Sequence, residues 1–511
     1  MKKYFYIFVF CINLLHTYPQ GFVNQYNLNS YLDDRSFQIE TTSYGFLIYG
    51  WSTDTLNGSV FKKISFLGTD SIGNVLFKKK IEHNVDTSLW LEAVPLDMGS
   101  RLLKVNTSFF TIAQQSSFPS YDITSIVCKL NEYADTIWKK EYKDIGNYLF
   151  ITSINKADNN NLILSCFNKT PTNSRTLILI KIDSNGHEIW RKYYDTKTNV
   201  SHFSRNTIYN PINSKYYFCI ETEITTPIGG IFIPFIYICD SLGNKTNQKQ
   251  LCPGYGFGLG GDGKLSLTKD SLMYFLGYEF YDTTHVKSVM AKIDTSGDFI
   301  YKKLYGKPSP VSAFTDLIEL PNKDFVLCGT ICDTVYSTIY PSTYTAANNN
   351  NWNGTITKID KNGDLKWQSV IDISNIDIFT DITLTNDNGF GITGYLDYNL
   401  LLPNVHQKIL LIVTDSLGCY STACNYTNIY EATNNSSLSI YPNPTKQYLN
   451  IKLNDLSDKI LQITIFNLLG ELVFIKKENC NEIDLDNLPQ EIYILEVKTE
   501  NKIYRKKIIK N

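Results

Sequence analysis

Hydrophobic and polar residues alternate along most of the chain, in short runs of roughly four to eight residues that are typical of β-strands. One arrangement recurs: an alternating run ends at Asp, an Asp-x-x-Gly turn follows, and a second run begins with an aromatic residue. It is clearest at 179–190, 290–301 and 356–367. Since Asp can bond its own turn amides and Gly supplies a positive φ, each copy predicts a tight β-hairpin.

Weaker copies extend this series along the chain. The turns that have both residues are Asp70 with Gly73, Asp183 with Gly186, Asp240 with Gly243, Asp294 with Gly297, Asp360 with Gly363, and Asp415 with Gly418. Asn131 marks a further copy. The spacing of roughly 50 to 65 residues is regular, which indicates a repeat architecture.

Two more strand patterns precede each hairpin, for example at 314–320 and 323–329. Four antiparallel strands repeated about seven times are typical of a β-propeller. We therefore predict an all-β chain with a seven-bladed propeller across 22–425. The seventh repeat lacks its last strand after Asp415, and 22–28 could fill that place so that no edge stays open. A split into two smaller β-domains is the alternative.

The repeats also resemble those of secreted bacterial propeller proteins. The resemblance rests on x-Lys-Ile-Asp-x-x-Gly-x-x-Trp units preceded by Gly-Phe-x-x-x-Gly strands, and it covers most of 22–420. It implies an architecture and names no ligand, because one fold serves many functions.

The N-terminus has the composition of an export signal. Lys2 and Lys3 precede an apolar run from Tyr4 to Leu15, which is too short for a transmembrane helix. We predict a signal peptide over 1–21, with the cleavage site placed only near Gln20 or Gly21. No later segment is long and apolar enough to predict a membrane span.

After a polar linker predicted at 426–437, the last segment, 438–511, contains short alternating strands that predict a small immunoglobulin-like β-sandwich. Its motifs are Tyr-Pro-Asn-Pro, an Asn/Gly turn, a Leu-Pro step before Ile-Tyr, and a basic last strand. The residues concerned are Tyr441, Pro442, Asn443, Pro444, Asn467, Gly470, Leu488, Pro489 and Tyr493.

These motifs, in this order, strongly resemble the type A sorting domain of the type IX secretion system. The resemblance implies export, contact with the secretion machinery, passage across the outer membrane, and a protein secreted or anchored at the cell surface. One departure is Glu491, where the family usually has Gly before Ile-Tyr. An ordinary immunoglobulin-like module is the alternative.

Composition narrows the possible partners. The formal net charge is −2, so the chain has no basic excess with which to bind nucleic acid. The chain has 35 Tyr and 28 Phe but only 4 Met, which favours strands. An exported chain can form disulfides. Cys419 with Cys424 is the preferred pair, and Cys328 with Cys332 comes second.

Candidate chemistry is sparse. The hydrolase motifs G-x-S-x-G and H-E-x-x-H are missing, no C-x-x-C is present, and the six histidines are scattered. The Gly-rich run 254–264 imitates a phosphate loop, yet a strand pattern follows it, so an inter-strand loop at a rim or channel is the interpretation. No catalytic residue, metal or cofactor is therefore predicted, although a pair of carboxylates would be invisible in one sequence.

The resulting hypothesis is an exported surface protein whose propeller binds an extracellular glycan, peptide or surface partner. The sequence favours a protein that is not an enzyme, and the abundance of Tyr and Trp favours binding. An extracellular hydrolase or lyase that degrades polymers through the propeller channel is the first alternative, and a structural surface element is the second. A channel with converging carboxylates would favour the enzyme, and an aromatic-rich face would favour the binder.

Overall fold

The computed structural model divides into two compact units, with the boundary between Thr427 and Asn428. The residues that it describes are 21–28, 33–56, 59–81, 101–117, 122–144, 148–169, 175–194, 201–226, 229–251, 264–280, 286–309, 312–332, 352–374, 376–397, 406–420, 438–453, 460–467, 471–477, 481–499 and 503–511. In these ranges the regular structure is β-strand, apart from one 3₁₀ turn at Asp158–Asn160. The protein is all-β, as predicted.

Five four-stranded antiparallel sheets follow one another along the first unit, and in each the strands pair in chain order. Sheet 1 is β2 (Asp34–Thr41), β3 (Gly45–Leu56), β4 (Ser59–Asp70) and β5 (Val75–Lys80). Sheet 2 is β6 (Leu102–Val105), β7 (Ser108–Ser117), β8 (Asp122–Leu130) and β9 (Thr136–Tyr142). Sheet 3 is β10 (Leu149–Lys156), β11 (Leu162–Lys169), β12 (Arg175–Ile182) and β13 (Glu188–Tyr194). Sheet 4 is β14 (Ser201–Asn210), β15 (Lys215–Thr226), β16 (Gly229–Cys239) and β17 (Lys245–Gln250). Sheet 5 is β18 (Lys264–Leu267), β19 (Met273–Phe280), β20 (Val286–Ile293) and β21 (Phe299–Ser309).

The remaining strands of this unit form one eight-stranded sheet, whose halves meet at a bridge between Trp352 and Ile376. The first half, called sheet 6, is β22 (Ser312–Glu319), β23 (Phe325–Cys332), β24 (Trp352–Ile359) and β25 (Leu365–Ile371). The second half, called sheet 7, is β26 (Ile376–Leu384), β27 (Phe390–Asp397), β28 (Lys408–Thr414) and β1 (Phe22–Tyr26). The N-terminal strand β1 pairs antiparallel with β28, from Phe22 opposite Val413 to Tyr26 opposite Ile409.

Hydrogen bonds or ion pairs link each sheet to the next, and sheet 7 returns to sheet 1. The linking pairs, in order, are Gln38 with Leu102, Ser125 with Leu149, Thr152 with Ser204, Asn206 with Leu265, Lys264 with Asp316, Thr315 with Phe379, and Asp381 with Ile39. A series of small antiparallel sheets, each linked to the next, is the arrangement of a propeller fold.

The apolar core lies between neighbouring sheets. Fully buried aliphatic residues of sheets 2 and 3 form one cluster, which includes Val127, Leu164 and Ile178. Many of the large aromatic side chains are buried as well, among them Tyr216 and Phe275. Burial of this aliphatic and aromatic surface away from water is the main favourable contribution to the free energy of folding.

The second unit has two sheets. One is β29 (Leu438–Tyr441), β30 (Tyr448–Leu453) and β33 (Glu482–Asp484), and the other is β32 (Leu472–Lys476), β31 (Ile460–Phe466), β34 (Ile492–Thr499) and β35 (Ile503–Ile509). Residues from both sheets share one core, including Leu449, Ile463 and Tyr493. No helix in the described ranges is long and apolar enough to cross a membrane.

Candidate functional site

The predicted turn residues build the hairpin between the third and fourth strands of sheets 1 to 6, and in sheet 7 the corresponding turn follows the third strand, β28. In the turn at Asp240, the carboxylate Oδ1 accepts hydrogen bonds from the backbone N–H groups of Leu242 at 3.0 Å and Asn244 at 2.8 Å. The following Gly243 has a φ of +79°. Equivalent pairs of bonds to Oδ1 occur at Asp70, Asn131, Asp183, Asp294, Asp360 and Asp415.

A second contact at these turns could not be read from a single repeat. The Tyr194 hydroxyl donates to the carbonyl oxygen of Gly243 at 2.7 Å. The ring of Trp190 packs so closely on Gly243 that an added Cβ would be 2.7 Å from the nearest ring atom. Both aromatic residues belong to sheet 3, whereas Gly243 belongs to sheet 4. Each such contact, called here an aromatic–glycine interlock, therefore fastens one sheet to the turn of the next.

The interlock recurs at four further turns of the first unit, but not at Gly297, where the nearest atoms belong to Lys249. The corresponding contacts are Trp138 and Tyr142 on Gly186, Tyr301 and Tyr305 on Gly363, and Trp367 on Gly418. The sequence signal is an aromatic residue followed four positions later by Tyr, which are neighbours on one face of a strand. Strand β1 has the same spacing, and its Tyr26 hydroxyl donates to Gly73 O at 2.6 Å while Phe22 packs on that glycine.

In the second unit, the Tyr-Pro-Asn-Pro segment is attached to the last strand. Asn443 Oδ1 accepts from Ile509 N at 2.9 Å, and its Nδ2 donates to Lys507 O at 2.7 Å. Both X-Pro peptide bonds of the segment are cis, and Tyr441 is exposed. The Asn443 side chain thus pairs with β35 as a strand backbone would, which explains why an amide stands between the two prolines.

The other sorting-motif residues are placed separately. The Tyr493 hydroxyl donates to Pro489 O at 2.8 Å, Leu488 packs on the core, and Asn467 Oδ1 accepts from Glu471 N at 2.9 Å. Gly470 lies outside the described residues. At the departure from the family pattern, Glu491 O accepts a hydrogen bond from Lys510 N at 3.0 Å.

A polar position on the first strand of several sheets was not predicted. It lies four residues before the turn that ends the strand, and we call it the ring position. Its residues in sheets 1, 4, 5, 6 and 7 are Gln38, Asn206, Lys264, Asp316 and Asp381. In sheets 1 and 4 it is a neutral amide, whose oxygen accepts the N–H of Leu102 at 2.6 Å or of Leu265 at 3.0 Å in the next sheet.

The two aspartates of the ring position make the same kind of bond. Asp316 Oδ2 accepts from Ile382 N at 3.4 Å, and Asp381 Oδ2 accepts from Ile39 N at 2.9 Å. Lys264 has no acceptor to offer, and its ammonium instead pairs with Asp316 and lies 3.7 Å from Asp381 Oδ1. Sheets 5, 6 and 7 therefore place ionisable side chains in contact at the ring position. An amide at the same position is sufficient to link neighbouring sheets, as sheets 1 and 4 show.

With Glu40, two residues after Gln38 on β2, these three residues form what we call the axial cluster. The Lys264, Asp316 and Asp381 side chains are 22%, 7% and 9% exposed, and Glu40 is half-buried. Buried ion pairs contribute little net stability compared with apolar packing. Charge at this position therefore favours a functional role.

The members of the axial cluster differ in ionisation. Burial and the charge of Asp316 raise the pKa of Asp381 well above its usual range. Burial opposes ionisation of Asp316 too, but the Lys264 ammonium and a hydrogen bond with Asp381 lower its pKa. Burial raises the pKa of Glu40 to about 7, against the opposing charges of Lys104 and Lys264. Titratable groups whose environments push their pKa values apart are typical of acid–base sites.

Other candidates from the sequence do not converge on this cluster. His187 bonds Asp183 in an exposed turn, at 3.0 Å, and His202 bonds Thr222. Of the Gly-rich run, 254–263 lie outside the described residues, whereas Lys264 begins β18. Across the described ranges, no group of His, Cys, Asp or Glu is arranged to hold a metal ion.

The cysteine pairing was predicted only in part. Cys419 is disulfide-bonded, while Cys424 lies outside the described residues. No disulfide joins Cys328 and Cys332, so the second-choice pair was wrong. Both lie on β23, where four residues of extended chain separate their Cα atoms by roughly 13 Å, beyond the reach of a disulfide.

The comparison with protein families identifies the second unit. Residues 439–511 match the family model described as "Secretion system C-terminal sorting domain". The prediction of a type IX sorting domain is thereby confirmed, and a domain of this kind implies that the protein is secreted or attached to the outer surface.

Two further comparisons concern single proteins and structures. The chain is 40% identical over 80 residues to an ulvan lyase, NLR42, of Nonlabens ulvanivorans, so it spans only 15% of that protein's length, and 15% of this chain is covered. Among solved structures, it is similar to the polysaccharide lyase Uly1 with a TM-score of 0.42 and 8% identity, over 79% of this chain and 94% of that one. A protein from Dyadobacter fermentans gives 0.41 and 10%, over 77% and 97%. Such low scores show neither a family nor a substrate.

Proposed function

We propose that the chain is an exported surface protein whose propeller degrades an extracellular polysaccharide at the axial cluster. In this proposal, 1–21 is the signal peptide, 22–425 forms seven blades closed by β1, 426–437 is the linker, and 438–511 is an immunoglobulin-like sandwich that contacts the secretion machinery. The observation that carries it is the meeting of three carboxyl groups and one ammonium group from the first strands of four sheets.

The cluster supports catalysis better than the binding role favoured by the sequence. An acid, an ionised carboxylate and a group that titrates near neutrality are the parts that general acid–base cleavage of a glycosidic bond needs. The aromatic residues invoked for binding are largely core, and the exposed ones in the described part of the first unit are Tyr133, Tyr193 and Phe299.

Binding without cleavage is the second candidate. It is favoured by the low exposure of Asp316 and Asp381, and by the hydrogen bonds that tie each of them to a neighbouring strand. In that case Asp316 and Asp381 only link neighbouring sheets. Lys264 and Glu40, which are more exposed than the two aspartates, contact a polar ligand.

Incubation of the purified full chain with a panel of surface polysaccharides and peptides distinguishes the two. We expect new reducing ends from at least one polysaccharide, and loss of this activity in the Asp381→Asn variant. Retention of a polysaccharide or peptide without cleavage would support the binder instead. Export is tested separately: a chain without 439–511 should stay inside the cell, and its appearance at the surface would refute the sorting role.

A further inference from the structure

We propose that the axial cluster catalyses β-elimination on a polysaccharide of uronic acids, with Glu40 as the base, Asp381 as the acid and Lys264 as the cation that offsets the substrate carboxylate. This inference rests on the proposed function and names its substrate class and reaction.

The sign of the charges around Glu40 distinguishes elimination from hydrolysis. Hydrolysis of a glycoside passes through a positively charged, oxocarbenium-like transition state, which a nearby ammonium group disfavours. Elimination next to a carboxylate builds up negative charge, which an ammonium group stabilises. Lys104 and Lys264 both act on Glu40, against the single ionised carboxylate of Asp316. With Asp381 neutral, the groups around Glu40 carry two positive charges and one negative charge, so the surroundings of the base can accommodate an anionic sugar.

The placement of the two cations agrees with this assignment. The Lys264 ammonium is held by Asp316 and lies 3.7 Å from Asp381 Oδ1. Lys104, on β6 of the neighbouring sheet, is fixed through a bond from its Nζ to Thr41 O at 2.6 Å, next to Glu40 in the chain. The two cations therefore come from two other strands, β6 and β18, and neither lies on the same strand as Glu40.

The step balances without a co-reactant. The Glu40 carboxylate takes the proton from C5 of the uronate, and the electron pair of that C–H bond forms a C4=C5 double bond. The C4–O4 bond then breaks, and O4 receives the proton of Asp381. The products are an unsaturated uronate on one fragment and a free hydroxyl on the other. Proton exchange with solvent returns Glu40 and Asp381 to their starting states.

The test uses the full chain with two uronate polymers, polygalacturonate and alginate, and a neutral glucan as the control. Ultraviolet absorbance follows the unsaturated uronate, and a reducing-end assay follows any cleavage. We expect both signals to rise together on at least one uronate polymer and neither on the glucan. Reducing ends without absorbance would overturn elimination but leave a hydrolase; no cleavage of any kind, there or across the wider panel, would overturn the proposed function as well.

Two conservative variants assign the groups. Glu40→Gln and Asp381→Asn should each lower the elimination rate by roughly 100-fold, the usual contribution of one general base or acid. The amide in Asp381→Asn can still accept from Ile39 N and donate to Asp316, so thermal unfolding should show a folded protein. Glu132→Gln is the matched control, because Glu132 accepts a bond from Ser43 on an exposed turn; it should keep the full rate.

The pH profile separates a base from a residue that only supports the fold. Because Glu40 must be ionised to take the proton, the rate should rise with pH through about 7. That limb should be missing from the residual activity of Glu40→Gln. A wild-type rate in either Glu40→Gln or Asp381→Asn would contradict the assignment.

Discussion

The interlocks and the ring position of the first unit differ in how far their residues are repeated from sheet to sheet. At the interlocks, aromatic residues of one sheet meet the turn glycine of the next at five turns, those of Gly73, Gly186, Gly243, Gly363 and Gly418, whereas Gly297 meets Lys249. At the ring position, neighbouring sheets have amides in two cases and charges in three. The interlock is repeated because the propeller architecture requires it. The charged residues at the ring position depart from the amide of sheets 1 and 4, and since folding does not require them, they indicate a function.

The strongest test of this comparison concerns the interlock that β1 makes with sheet 1. Replacing both Phe22 and Tyr26 by Ala should lower the free energy of unfolding by roughly 4 kcal/mol, because two aromatic side chains leave the contact with Gly73. Denaturant unfolding of the full chain measures it. The exposed Tyr193→Ala is the control, and an equal effect of both changes would refute a special role for β1.

A second test separates backbone strain from the interlock. Gly243 and Gly306 have nearly the same φ, +79° and +80°, but a Cβ on Gly243 would meet Trp190 at 2.7 Å, whereas on Gly306 the nearest atom is Ser312 Oγ at 3.7 Å. Gly306→Ala should cost about 1 kcal/mol of stability for its conformation alone. Gly243→Ala should cost about 3 kcal/mol. Equal losses in thermal unfolding would mean that the ring contact contributes nothing.

The axial cluster, which includes three of the ring-position residues, predicts a gain in stability when the charge of its fourth member, Glu40, is removed. The pKa of Glu40 is raised in the folded protein to about 7, above its ordinary value of 4.5, so stability of the wild type falls as pH rises from about 4.5 to about 7. Glu40→Gln lacks this fall. Relative to the wild type it should gain about 3 kcal/mol between acidic and mildly alkaline pH. A pH-independent difference in denaturant unfolding would contradict the pKa shift.

The smallest expected effect isolates one hydrogen bond of the interlock. Tyr194→Phe keeps the packing but leaves the carbonyl of Gly243 without its buried donor, which should cost about 1 kcal/mol. Tyr193→Phe removes an exposed bond to Asp144 and serves as the control, with almost no change expected. Should the two variants unfold alike, the hydroxyl contact would be incidental.

The sequence was sufficient for features that lie within one repeat. The Asp and Gly of each turn, the aromatic that follows and the sorting motifs are all local, and the missing strand after Asp415 was inferred from counting strands, with 22–28 proposed in its place. Pairing of β1 with β28 agrees with that inference. The turn at residue 131 departs from the pattern at two positions, with Asn131 in place of Asp and Ala134, at a φ of 57°, in place of Gly.

Features that depend on contacts between repeats were beyond the sequence. The Tyr of an interlock meets a glycine roughly fifty residues away, so no periodicity within one strand reveals it. The ring position follows a register shift in several first strands, for example between Phe314 and Asp316, and a bulge of this kind moves a side chain to the other face. The sequence places Lys264 at the end of a Gly-rich run and gives no sign of its partners, because Asp316 and Asp381 lie in sheets 6 and 7, more than 50 residues further along the chain.

The pairing of β1 with β28 has a consequence for how the chain is made. Sheet 7 takes one strand from residues 22–26 and three from residues 376–414, so its contacts span nearly the whole unit. Such long-range pairing closes slowly. During synthesis, β1 therefore stays unpaired until almost every other strand of the unit has been translated. A nascent chain that ends before Thr414 retains an unpaired strand edge, which chaperones and proteases can bind.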